Sequence, residues 1–414
     1  MRASKKTALY TISSPEDFAR PRCGGAPLGK PLANRGDPAM VEVAANPVLG
    51  IALHAGGALS AALCYTPQKK VKGWSWQTYW IIQASFCWLL LPIIGALITI
   101  PDFAAVLKDA PSSAMLNTFL LGVAYGIGGT CFGLAIKKIG FSLTYAIAIG
   151  ISCIFGTLTG PIIRGELAAI MGKTGATWVM AGIIVGFVGT LLCGVAGRMK
   201  EIELQKEDGD GGDFALVPGL ALCVVAGLLS AVYGIAVNDA GAPIAKAAAV
   251  HGASYWQTNI VYIFSNSGAF LTTSIYCVYL IHKEGTLAEF LKPSGDASGA
   301  LGMNYLLAFL TGMMWYGQFL FYGTAHVRMG NFKFSSWAIH MTMLILFSAM
   351  SGVVMREWHG RTLKTRLAIS VAVALLISAV LSLSFGNYLG GKNTPPSKEE
   401  KKNVTPPSAQ RVES

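Results

Sequence analysis

From Gly122 to Gly140 the chain reads GVAYGIGGTCFGLAIKKIG, and from Gly312 to Gly330 it reads GMMWYGQFLFYGTAHVRMG. Gly122, Gly133, Ala135 and Gly140 return 190 positions later as Gly312, Gly323, Ala325 and Gly330, while Tyr125, Phe132 and Lys138 return as Trp315, Tyr322 and Arg328. The echo continues at a spacing of 192, where Tyr145, Ala146, Ile147, Phe155, Gly160 and Arg164 reappear as Trp337, Ala338, Ile339, Phe347, Gly352 and Arg356. Each half also starts alike, with Gly57 to Ala61 (GALSA) answered by Gly227 to Ala231 (GLLSA). Because both copies are apolar and of membrane length, the duplication points to a membrane carrier built from repeats.

Composition agrees with a bilayer as the solvent. Hydrophobic residues make up 53% of the 414, charged residues 13%, and the mean hydropathy is +0.52, too apolar for an ordinary soluble protein. Ten stretches are long enough to span as helices: 47–65, 77–100, 114–136, 142–163, 176–197, 215–237, 255–281, 302–325, 334–355 and 364–386. The expected fold is therefore an all-α integral membrane protein of ten transmembrane helices, arranged as two inverted five-helix repeats over 47–197 and 214–388. The odd number of spans per copy is what turns the second copy upside down, and it places a binding site near the midplane between the copies. Residues 198–213, RMKEIELQKEDGDGG followed by Asp213, read as a charged linker, 1–46 as a disordered extension and 389–414 as a disordered tail. Met40 is a plausible start within that extension.

The net charge of +11 sits in tails and short loops rather than on one surface, which argues against nucleic-acid binding. Lys and Arg are richer in the loops joining spans 1–2, 3–4, 5–6, 7–8 and 9–10, so those loops are expected on the cytoplasmic side, whereas the basic N-terminal extension argues the other way. Seven of the eight cysteines fall within or at the ends of spans with no CxxC pair, and read as small packing residues. No phosphate loop, HExxH, nucleophile elbow or paired acidic metal motif occurs, so no catalytic or metal-binding residues are expected and no cofactor beyond a coupling proton.

The eighth span carries Trp315, Gln318, Tyr322 and His326 on one helical face. As a substrate face this stripe suits a sugar, whose CH face lies on aromatic rings and whose hydroxyls need paired donors and acceptors; as packing it would be interfacial anchors and interhelical glue. Trp337 and His340 follow in the ninth span, and Asn259, Tyr262 and Asn266 form a second stripe in the seventh, facing the first across a cavity or bonding neighbouring helices. Ionisable groups at membrane depth default to function, so His54, His340 and Asp239 are the proton-coupling candidates.

Several strings together carry a family likeness: Cys64 to Trp76 (CYTPQKKVKGWSW), the segment ending at Gly160-Pro161, and Met314 to Met341 (MWYGQFLFYGTAHVRMGNFKFSSWAIHM) followed by Glu357-Trp358. Over roughly residues 47–388 they resemble the L-rhamnose/proton symporter family, a branch of the drug/metabolite transporter superfamily. The resemblance implies ten helices, inward transport of a 6-deoxyhexose across the cell inner membrane and coupling to protons, by a monomer or homodimer in lipid. Another superfamily carrier of a different sugar, metabolite or drug is the nearest rival, and an integral membrane enzyme the remote one.

Overall fold

The computed structural model describes residues 44–139, 141–208, 216–295 and 298–392. The N-terminal extension up to residue 43, the Gly-rich part of the linker and the tail beyond residue 392 lie outside the described residues.

Among the described residues all regular structure is helical. Ten long helical segments follow in order: α1 (Pro47–Leu63), α2 (Trp76–Ala84 continuing through Ser85–Leu90 to Leu91–Thr99), α3 (Ser112–Ile139), α4 (Phe141–Ile163), α5 (Ala176–Asp208), α6 (Leu216–Ile235 with Ala236–Ala240), α7 (Asn259–Glu284), α8 (Leu301–His326), α9 (Ser336–Val354) and α10 (Leu363–Lys392). The first starts where its sequence says it should. Asn46 accepts a hydrogen bond from the Leu49 amide at 3.0 Å, and Pro47 occupies the first turn, where no amide hydrogen is needed.

Packing follows the small residues. Helix α1 lies against α8 and α9, α6 against α3 and α4, α7 against α3 and α2, and α5 against α10. At the repeated glycines the contacts are backbone-close: a Cβ at Gly122 would stand 2.0 Å from the Ser265 carbonyl oxygen on α7, and one at Gly312 would stand 2.6 Å from Phe86 Cβ on α2. The outward faces are apolar, with Leu97, Ile184, Leu367 and Leu381 among many exposed large hydrophobic side chains. A continuous apolar exterior of this kind needs hydrocarbon to cover it.

Eight of the described helices are long and apolar enough to cross a bilayer, which makes this a multi-pass integral membrane protein. The two expected spans that do not reach that apolarity are α7 and α8, each 26 residues long. Their polarity points inward: Asn259, Ser265, Asn266 and Thr273 on α7, and Asn304, Thr311, Gln318 and Thr324 on α8, are all buried. A helix sheltered by its neighbours can hold such groups because they pack inside the protein rather than facing lipid.

Two boundaries differ from the sequence reading. Helix α5 runs on to Asp208, so Arg198–Asp208 is helix rather than linker; the stretch is rich in Glu and Lys, good helix formers, and Arg198 pairs with Glu201 at 3.9 Å one turn on. Helix α10 likewise continues to Lys392, past the expected start of the tail, because Asn387 and Gly390 pack inside, Asn387 bonding Ser335 at 3.0 Å and Gly390 accepting from Asn331 at 3.0 Å.

Candidate sugar-binding cavity

Two helices widen into π turns, and a proline explains each. Pro92 has no amide hydrogen to give the Trp88 carbonyl, and Pro243 has none for the Asp239 carbonyl. The chain answers by shifting to longer bonds: π turns cover Ser85–Leu90 and Ala236–Ala240, with Gly241 N–H reaching the Ala236 oxygen at 2.9 Å. Such turns recur at functional sites. Here they carry Trp88 and Asp239.

Trp88 opens onto a central cavity of about 100 Å³ bounded by α1, α2, α3, α4, α6, α8 and α9. Its wall is aromatic, with Tyr125, Tyr145, Tyr233, Trp315, Phe319 and Trp337 besides Trp88, and its polar side chains include Gln318 and Ser230. No Asp, Glu, Lys, Arg or His is among the described residues that line it. The rings brace one another: Trp88 meets Trp315 edge to face at 5.4 Å, Tyr125 lies 4.4 Å from Tyr233, and Tyr233 lies 5.1 Å from Phe319. Trp337 is fixed from two sides. Its indole N–H donates to the Ser152 carbonyl at 3.1 Å, and Gly156 and Gly234 let its ring lie where a Cβ would come within 2.5 and 3.1 Å.

Behind this wall lies a group of rings at the heart of the bundle. His54 and His340 are 5.8 Å apart, and Tyr322 stands 5.2 Å from the one and 5.4 Å from the other. All three are fully buried. His340 Nε2 lies 3.4 Å from the Gln318 amide oxygen, which ties this group to the cavity wall, while neither ring nitrogen of His54 has a partner. Tyr322 also stacks on His326 at 5.9 Å and exchanges hydrogen bonds with Asn238 at 2.8 and 3.1 Å.

The residues picked out from sequence divide accordingly. Trp315, Gln318 and Trp337 line the central cavity; Tyr322, His54 and His340 form the layer beneath it. His326 and Asp239 border a separate cavity of about 550 Å³ toward one end, where Asp239 is paired with Arg164. The seventh-span stripe does not line the central cavity. Asn259 donates to Thr99 at 2.9 Å, Tyr262 to the Phe319 carbonyl at 2.8 Å, and Asn266 accepts from Tyr233. These are bonds between helices, because a polar stripe on a helix packed against α2 and α3, with side chains of α6 and α8 in reach, meets other helices first.

At the opposite end a third cavity of about 430 Å³ shares Tyr65 and Tyr145 with the central one. Glu357 there accepts from Lys200 at 2.9 Å and stands 3.7 Å from Lys69. Burial pushes the Glu357 carboxyl up, but the two ammonium groups prevail and hold it below the usual glutamate range.

Trp88, Tyr125 and Tyr233 are cavity residues that sequence reasoning passed over. For Tyr125 the signal was present, since it is the repeat counterpart of Trp315 and both rings meet Trp88. Trp88 and Tyr233 sit in largely apolar runs, each with only a single serine three residues before it, Ser85 and Ser230, to mark its face.

A model of the family described as L-rhamnose-proton symport protein matches residues 43–387. An L-rhamnose-proton symporter of Cronobacter sakazakii is 33% identical over 342 residues, covering 81% of this chain and 97% of the relative. Proteins of the same name from Mannheimia succiniciproducens, 33% identical over 347 residues, and Enterobacter sp., 34% identical over 346, each cover 82% of this chain and 98% of their own length. A family match over most of the chain, with relatives matched almost end to end, makes this chain a member of the L-rhamnose-proton symport protein family, which is a family of transporters and not of enzymes.

Proposed function

We propose that the chain imports L-rhamnose or a related 6-deoxyhexose across the cell inner membrane together with a proton, by alternating access. The observation that carries this reading is the cavity wall: aromatic faces, an amide and hydroxyls, and no ionised side chain among its described residues. Such a wall suits an uncharged, polyhydroxylated ligand with one apolar flank and gives a cationic drug or an anionic metabolite no counter-charge. The relatives' name supplies the particular sugar and the coupling ion.

The moving parts are two inverted repeats, α1–α5 and α6–α10, spanning the bilayer ten times in all. Exchange symmetry of the packing supports this. Helix α1 meets the third and fourth helices of the other half, and α6 meets the third and fourth of the first. The two GxxSA glycines agree as well, since a Cβ at Gly57 would stand 3.1 Å from His340 Cε1 on α9 and one at Gly227 2.8 Å from the backbone oxygen of Ala148 on α4, the residue that answers His340 in the repeat. Sugar rests against Trp315, Gln318 and Trp337, and His340, bonded to Gln318, carries the proton with His54 beside it. With the basic-rich loops inside, the cavity holding Lys69, Lys200 and Glu357 faces the cytoplasm, and the Arg164–Asp239 pair closes the outer side.

Labelled L-rhamnose should enter proteoliposomes when the outside is made acidic, and a protonophore should abolish accumulation. Uptake driven by sodium and indifferent to pH would reject the coupling. Gln318→Ala should weaken sugar binding about fivefold, the loss of one or two neutral hydrogen bonds, and Trp337→Ala about tenfold through loss of its ring face. Unchanged binding in both variants, measured by calorimetry on purified protein, would remove the proposed sugar face.

A further inference from the structure

The indole N–H of Trp88 is buried and has no hydrogen-bond partner. Another tryptophan of the wall, Trp337, spends its N–H on Ser152 and so offers the cavity only a face. Leaving a strong donor unpaired in the interior has a free-energy cost that nothing in the protein returns. The surroundings look arranged to keep it so. The π turn enforced by Pro92 sets the helical phase of Trp88, and Trp315 and Tyr125 brace its ring edge to face at 5.4 and 6.1 Å.

We infer that the Trp88 N–H donates to a ring hydroxyl of the bound sugar, which makes Trp88 a specificity-determining residue of the central cavity. This rests on the sugar-carrier reading above. A site built around a donor rejects a ligand lacking the matching oxygen, because the donor is then buried unpaired against it. Trp88 therefore reads the presence of a hydroxyl, while the apolar stretch of wall formed by Ile149, Met341 and Leu344 has nothing to offer a hydroxyl and accepts a methyl group.

The test measures binding of L-rhamnose, its 2-, 3- and 4-deoxy derivatives and L-mannose to the purified wild type and to Trp88→Phe, which keeps an aromatic face and removes the N–H. The wild type should lose affinity for each deoxy sugar. Trp88→Phe should bind L-rhamnose about five- to tenfold more weakly, yet lose nothing further for one of the three, the sugar that lacks Trp88's partner. Equal affinity of variant and wild type for L-rhamnose, or a uniform loss for every ligand, overturns the proposal. Failure of the wild type to bind L-rhamnose at all instead overturns the sugar assignment on which it rests. Should Trp88→Phe not fold, 3-benzothienylalanine at position 88 preserves the bicyclic ring with sulfur in place of N–H, and the same outcomes decide.

Discussion

His340→Ala should equilibrate L-rhamnose across a vesicle membrane without concentrating it. With one proton moving per sugar and no membrane potential, a pH difference of one unit is worth about 1.4 kcal/mol and supports about a tenfold accumulation of sugar. In the variant the ratio falls to about one while downhill flux persists. The reason is the chain of contacts on which the proton must report. His340 Nε2 lies 3.4 Å from the Gln318 amide oxygen, and Gln318 lines the central cavity, so a protonated imidazole always offers that oxygen a donor, whereas the neutral ring does so only in its Nε2–H tautomer. A buried imidazolium without a counter-charge is unfavourable, so the proton is stably held only in a conformation that admits water or sugar oxygen. That linkage is what a symporter needs. His54, 5.8 Å away with neither nitrogen partnered, should show the same phenotype. If both alanine variants still accumulate sugar as the wild type does, the proton resides elsewhere, and Asp239 with its Arg164 partner is the next group to replace.

How much of this was legible in the sequence depends on whether a signal was local and periodic. Trp315, Gln318 and Trp337 stood out because polar and aromatic groups recurring at helical spacing are rare in an apolar run, and they do line the cavity. The same rule selected Asn259 and Asn266, which bond Thr99 and Tyr233 instead, since periodicity identifies a buried face and not what is buried against it. Trp88 was invisible for a different reason. Its direction is set by a π turn, which breaks the 3.6-residue phase that sequence reasoning assumes, although Pro92 four residues on was the available clue. Meeting of His54, Tyr322 and His340 required α1, α8 and α9 to converge, a long-range fact that no single span encodes. The apolar threshold for a span misses α7 and α8 because the helices with the most buried polar groups are the ones least in need of an apolar sequence.

Gly122→Leu should be among the most damaging substitutions in the bundle. A Cβ there would stand 2.0 Å from the Ser265 carbonyl oxygen, and on the facing helix one at Gly268 would stand 2.2 Å from the Phe119 oxygen, so α3 and α7 touch backbone to backbone. Neither side can yield by a rotamer change, and the helices must part. Overpacking against flexible side chains costs about 1–3 kcal/mol; with backbone on both sides the expected loss is at or above the top of that range. The repeat makes the argument quantitative by ranking. Gly312, the counterpart of Gly122, would bring a Cβ within 2.6 Å of Phe86 Cβ, tight but against a side chain as well as backbone, while Gly133 would bring one only within 3.4 Å of the Trp76 ring. In detergent, thermal unfolding of the three alanine variants should therefore fall in the order Gly133→Ala, Gly312→Ala, Gly122→Ala. The first should lie close to the wild type, because alanine's helix preference over glycine, about 1 kcal/mol, offsets a mild contact. The last should lose stability despite the same gain. A reversed order would mean that the duplicated glycines serve movement or folding rather than close approach, and that the shared stretch from which the two halves were recognised is not what holds them together.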